Sequence, residues 1–198
     1  MKYDDASWHY GGKFPKGLPK RNGGTHIGMF VAWMIEHGLM SEEHELEARA
    51  ELARVRARKM TGTDFLFVVC DEKLTDDDFS PEGNRFALAY FEGAYTDDYL
   101  RTFKVKDDGS VYTVADTWAS YERLRPAIDR AYAAFLKKRA QAKGGKKKGA
   151  AKKSAKAPPK KRVNTKAAKP NATAKKAVRA TKPKPAPPRA RKPKKPAK

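Results

Sequence analysis

The sequence predicts a mainly α-helical domain over residues 1–140, with at most a small β-hairpin, followed by a disordered basic tail over 141–198. Three observations carry this. Apolar residues recur at helical spacing behind capping residues in several segments. Only 111–114, Val-Tyr-Thr-Val, has the composition of a strand next to a turn signal, Asp108-Gly109. All eight Tyr, nine Phe and three Trp lie before residue 137, whereas residues 137–198 hold twenty-six Lys and Arg and no Asp or Glu. An α+β arrangement is the alternative, because a short continuous apolar run suits a buried strand as well as a buried helix.

The elements follow in order. Residues 1–24 mix glycines, prolines and the rings Tyr3, Trp8, Tyr10 and Phe14, which predicts irregular backbone pinned by aromatic packing. A central helix starts near Thr25 as its cap, with Ile27, Phe30, Val31, Met34 and Ile35 on one face and Gly38 at its exit. Residues 41–60 read as one helix with a stripe of Leu46, Ala50, Ala53, Ala57 and Met60. Its acids lead and its bases trail, which suits the helix dipole, so Arg54, Arg56, Arg58 and Lys59 read as a solvated helix end. Thr63 or Asp64 caps a third helix, Phe65 to Cys70, that continues through Asp71-Glu72-Lys73. Ser80-Pro81 starts a fourth, burying Phe86, Ala87, Tyr90 and Phe91. Residues 97–103 add a helical turn, and 102–106 pairs with 111–114 as a hairpin. The last helix runs from about Thr117 to Ala140, with Tyr121, Leu124, Ile128, Tyr132 and Phe135 on one face, Pro126 inside it, and Gly144-Gly145 releasing it.

Few side chains in the head suggest chemistry. Asp4, Asp5, His9 and His26 are candidate metal ligands, since Asp and His suit borderline cations. Their spacing matches no metal motif. The reading therefore assigns no metal and no cofactor: Asp4 and Asp5 cap or pair locally, and His26 bonds backbone. Asp76-Asp77-Asp78 fails as a calcium loop, because Pro81 and Ala87 stand where a glycine and an acid are needed. Cys70, the single cysteine, reads as a buried structural thiol, and Trp8, Trp33 and Trp118 read as core. No catalytic set emerges, so the sequence favours a protein that is not an enzyme. The N-terminus lacks a secretion signal, and the longest apolar stretch, 27–35, is too short to span a membrane. These features lead to an expectation of a cytoplasmic, nucleoid-associated protein.

The motifs Tyr3-Asp4-Asp5-Ala6-Ser7-Trp8-His9-Tyr10-Gly11-Gly12, Phe14-Pro15, Thr25-His26-Ile27-Gly28-Met29-Phe30, Ala32-Trp33 and Asp116-Thr117-Trp118 resemble a family of uncharacterised bacterial domains. The resemblance spans most of residues 1–136. It implies a bacterial source and a compact domain, and it implies no activity. The resemblance also implies a domain that usually ends soon after the last helix, with the basic tail as an addition.

Residues 1–136 hold eighteen Lys and Arg against twenty-three Asp and Glu, a charge of −5, so the tail's +26 yields the overall +21. The tail keeps only Val163 and Val178 as larger aliphatics, too little apolar surface to offset the entropy of ordering. Nine prolines between Pro158 and Pro196 favour extended backbone. The tail resembles the Lys/Ala/Pro-rich tails of linker histones and bacterial histone-like proteins, through units such as Ala157-Pro158-Pro159-Lys160-Lys161 and Ala168-Lys169-Pro170. The expected function is sequence-independent binding of DNA or RNA, because cations displace counterions condensed on phosphates. The absence of aromatics argues against base stacking. The candidate contacts are Lys146, Lys147, Lys148, Lys152, Lys153, Lys156, Lys160, Lys161 and Arg162, then Lys175, Lys176, Arg179, Arg189, Arg191, Lys192, Lys194 and Lys195. The alternative is a protein-binding module, one that neutralises a toxin or joins a complex, with the tail as a localisation device. A metal-dependent enzyme is a third reading, resting only on the Asp/His set.

Overall fold

Two short strands tie the N-terminus to the middle of the chain. In the computed structural model, β1 (Lys2–Asp5) pairs antiparallel with β2 (Lys73–Thr75). Lys2 lies opposite Thr75 and Asp4 opposite Leu74, with an irregularity between Lys2 and Asp4. The structure describes residues 1–11, 14–106 and 110–154, with side chains to Ala142 except that of Ser110. Among these residues there are eight α-helices and the one two-stranded sheet, so the domain is mainly α. The tail beyond Ser154, expected to be disordered, lies outside the described residues.

The segment expected to be irregular is partly ordered. After β1 comes α1 (Ala6–Tyr10), capped by Asp5, whose carboxylate accepts from the Ser7 backbone N–H. A 3-10 turn over Lys20–Gly24 then leads into α2 (Thr25–Glu36). Every residue of α2 from Ile27 to Ile35 is buried, not one face only. A helix apolar all round is a core helix, and α2 is the axis of this domain. Its cap differs from expectation: Gly24 is the N-cap, and the buried Thr25 hydroxyl has no hydrogen-bond partner among the described residues. Gly38, at φ +64°, makes the exit as expected.

The helix expected over 41–60 is two helices, α3 (Glu42–Glu47) and α4 (Arg49–Arg56), broken at Ala48. Ser41 caps the first. The buried residues are Ala48, Leu52, Val55 and Met60, while Leu46 is 65% exposed. Of the predicted stripe only Met60 is buried; within α4 the larger Leu52 and Val55 take the core face in place of Ala50 and Ala53, because they bury more apolar surface. Arg56 pairs with Glu45, and Arg58 pairs with Glu122 and lies over the Trp118 ring.

Helix α5 (Gly62–Val68) confirms the helical reading of the apolar run, but its cap is Thr61, reciprocated by Asp64 in a capping box. It does not continue through Asp71 and Glu72. Both adopt positive φ, +50° and +64°, and turn the chain into β2. Helix α5 crosses α2 at backbone contact, with Gly62 against Gly28 and Ala32.

Ser80 caps α6 (Pro81–Tyr90), its hydroxyl accepting from the Gly83 N–H at 3.2 Å. Ser80→Ala should cost about 1 kcal/mol in a urea melt, the usual worth of a lost cap. Helix α7 spans Tyr95–Phe103. The hairpin expected between 102–106 and 111–114 does not form; Ser110–Thr113 is a 3-10 turn. Its carbonyls serve side chains instead of a ladder: Tyr112 O accepts from Asn22 Nδ2, and Val111 O from the Tyr99 hydroxyl. Long-range bonding overrides β propensity here.

Helix α8 (Trp118–Ser154) contains Pro126 and runs past Gly144-Gly145, where it was expected to be released. Lys and Ala around the pair are strong helix formers. Thr117 caps α8, and Tyr121, Leu124 and Ile128 are buried as expected. Tyr132 and Phe135 close an aromatic cluster on Phe86, and Tyr132 also meets Trp33. Trp33 is fully buried and donates to Asp129 at 2.8 Å. Trp8, expected in the core, is 59% exposed, with Lys2 over its ring. No helix among the described residues is long and apolar enough to cross a membrane.

Candidate functional site

The sheet and the first two helices bring three chemically capable side chains together. Asp4 lies on β1, His9 on α1, and His26 in the first turn of α2. Pairing of β1 with β2, followed at once by α1, turns the His9 ring back over Asp4. His9 Nε2 lies 2.9 Å from Asp4 Oδ1, and His26 Nε2 lies 3.2 Å from Asp4 Oδ2. The two imidazoles meet edge to face at 4.5 Å. An ionised carboxylate only accepts, so both Nε2 atoms carry the protons in this arrangement. The Tyr112 hydroxyl then donates to His9 Nδ1, at 3.3 Å. The Nδ1 atom of His26 is buried with no hydrogen-bond partner among the described residues.

This trio lines a cavity of about 340 Å³. The other walls are Tyr95, Thr96, Tyr99, Leu100, Val111 and Tyr112. An apolar and aromatic pocket with a few convergent polar groups is the usual form of a ligand site. The Tyr95 hydroxyl anchors the floor by donating to the His26 carbonyl at 2.5 Å. A more open depression of about 470 Å³ near Phe103 and Thr113 includes Lys104, Lys106 and Arg123, but no comparable set of acids and imidazoles converges there.

Electrostatics set the protonation states. Burial alone would raise the Asp4 carboxyl, but hydrogen bonds from His26 and His9 outweigh it and hold it well below the usual carboxylate range. Burial pushes the His26 imidazole below its ordinary 6.5, against the pull of Asp4. The folded state therefore binds this proton less readily than the unfolded chain. Its contribution is fully present above pH 6.5 and is lost as the pH falls toward the lowered folded value. Asp4, Asp5 and Asp64, all held below 3.8, add a further loss below that pH. The urea midpoint should thus be flat from pH 8 to about 6.5, decline below it, and fall steeply under about pH 4. A midpoint that rises on acidification contradicts these assignments.

The four sequence candidates separate. Asp4, His9 and His26 converge, and His26 bonds Asp4 through its ring instead of bonding backbone. Asp5 is apart from them, capping α1 and pairing with Lys2 at 2.7 Å. Sequence reasoning missed Tyr112 and the α7 wall of the cavity, for which the sequence carries no local signal. It also missed a second cluster, His44, Cys70 and Asp78, whose ligand atoms lie within 4.8 Å of one another. There His44 Nε2 meets Asp78 at 2.8 Å. Burial and the nearby Asp78 carboxylate push the Cys70 thiol up, which fits the inert thiol expected. The seventeen Lys and Arg assigned to nucleic acid have side chains outside the described residues.

No curated protein and no solved structure matches the chain. Asp4, His9, His26 and the opening motifs through Trp33 all fall inside residues 2–114, the span matched by the family model described as a domain of unknown function (DUF7832), and the chain belongs to that family.

Proposed function

We propose that this protein is a non-enzymatic, nucleic-acid-associated protein that holds DNA or RNA through its C-terminal tail, without reading sequence. One observation carries this: residues 137–198 hold twenty-six cations and no acid, beside a head of net charge −5. Such a segment releases condensed counterions from any polyphosphate it lies along. The acidic head repels the same polyanion, so attraction concentrates in the tail. The prolines keep the charges spread along a duplex.

Affinity purification of the full chain and of residues 1–140 side by side, with and without nuclease, tests the reading. Nucleic acid should accompany the full chain only, and nuclease should remove it together with whatever it bridges. One protein retained by residues 1–140 after nuclease treatment, with no nucleic acid on the full chain, supports the alternative of a protein-binding module instead.

A further inference from the structure

We propose that Asp4, His9 and His26 form a binding site for one divalent first-row transition ion, with the adjoining cavity open to the ion's remaining coordination positions. The donor set is two imidazole nitrogens and one carboxylate. That mixture suits Zn²⁺, Co²⁺, Mn²⁺ or Fe²⁺ and disfavours Ca²⁺ and Mg²⁺, which take oxygen ligands.

The spacing fits. Ligands about 2.1 Å from a metal and roughly 90–110° apart lie about 3.0–3.4 Å from one another. The two imidazole-to-carboxylate distances are 2.9 and 3.2 Å. The imidazoles reach different oxygens of Asp4, and one ligand atom from each residue lies within 4.8 Å of the others, so an ion needs the two rings to turn toward a shared point. The surroundings also allow the required tautomers. A ring that ligates through Nε2 carries its proton on Nδ1. The Tyr112 hydroxyl, which now donates to His9 Nδ1, can rotate and accept from it. The Nδ1 atom of His26, unpartnered among the described residues, has room in its bonding to take the proton.

Three protein ligands leave at least one position of a tetrahedral ion unfilled, the pattern of sites that hold water or an exogenous ligand. Here that position is served by a cavity of about 340 Å³, walled by Tyr95, Tyr99, Leu100 and Val111. The His44–Cys70–Asp78 cluster is the competitor. Its thiol is raised and bonded to Asp78, and no described cavity is lined by all three of its residues. It serves as the internal control.

The test uses the full chain, stripped with a chelator and titrated calorimetrically with Zn²⁺. One equivalent should bind. Asp4→Asn, which keeps shape and loses charge, and His9→Gln should each weaken that equivalent by more than about 100-fold, beyond the range seen for supporting residues. Cys70→Ser should leave it unchanged. Loaded with Co²⁺, the wild type should show ligand-field absorption without a thiolate charge-transfer band. Circular dichroism checks that each variant is folded. Should Asp4→Asn fail to fold, His9→Gln, on a partly exposed ring, decides alone. No uptake of Zn²⁺, equal affinity in the variants, or loss of the ion in Cys70→Ser overturns the proposal.

Discussion

Gly62→Ala is expected to abolish folding or to lower stability by more than about 3 kcal/mol, the upper end of ordinary overpacking. A Cβ at Gly62 would stand 1.9 Å from the Gly28 carbonyl oxygen and 2.7 Å from the Ala32 backbone nitrogen. Neither is the tip of a flexible side chain. Relief requires α5 to move away from α2, and α2 is buried from Ile27 to Ile35, so its other neighbours resist. Gly28→Ala should behave the same way, since its Cβ would meet the Thr63 backbone at 2.3–2.4 Å. Gly93→Ala is the control: its Cβ would lie 3.5 Å from the nearest atom, and the change should stay within about 0.5 kcal/mol. Urea unfolding followed by tryptophan fluorescence measures all three. Wild-type stability in Gly62→Ala would refute the close crossing.

Ending the chain at Ala140 should eliminate binding of duplex DNA at moderate salt. That truncation removes twenty-three of the twenty-six tail cations; ending it at Ser154 removes seventeen. If about ten phosphates are engaged by the full tail, log K should fall with log salt at a slope of about −9, and affinity should drop about 10⁵-fold between 50 and 200 mM salt. The chain ending at Ser154 should show an intermediate slope, because each lost phosphate contact removes about 0.9 from it. Sequence should matter little: duplexes of unrelated sequence should bind alike. Gel shifts across a salt series read both quantities. Retention of duplex by residues 1–140 at moderate salt would sink the proposed function.

These two expectations draw on different levels of information. The tail argument needs only composition, since charge density acts on a polyphosphate without a defined fold. The glycine argument was not legible beforehand. Gly28 and Gly62 stand thirty-four positions apart in sequence. Their meaning appears only when two helices cross at backbone distance.

The same division runs through the fold. The helix starts read at Ser41 and Ser80 hold, because each hydroxyl caps an N–H three residues away. The break at Ala48 was missed, and so was the end of α5 at Val68, which answers to a distant partner. The N-terminal strand needs Lys73–Thr75 beside it, so the chain must leave α5 early. Residues 111–114 look like a strand in isolation, yet Asn22 and Tyr99 claim two of their carbonyls.

The candidate site lies between these cases. Asp4, His9 and His26 were recognisable as chemically capable, but nothing in their spacing set them apart from Asp5. By itself, the sequence determined where the charge lies, most helix starts and the mainly α class, because these depend on composition or on contacts within a few residues. Tertiary structure alone decided that Asp4 faces two imidazoles while Asp5 caps a helix. Successive strand residues point to opposite faces, and only the pairing of β1 with β2 determines which face meets α1 and α2.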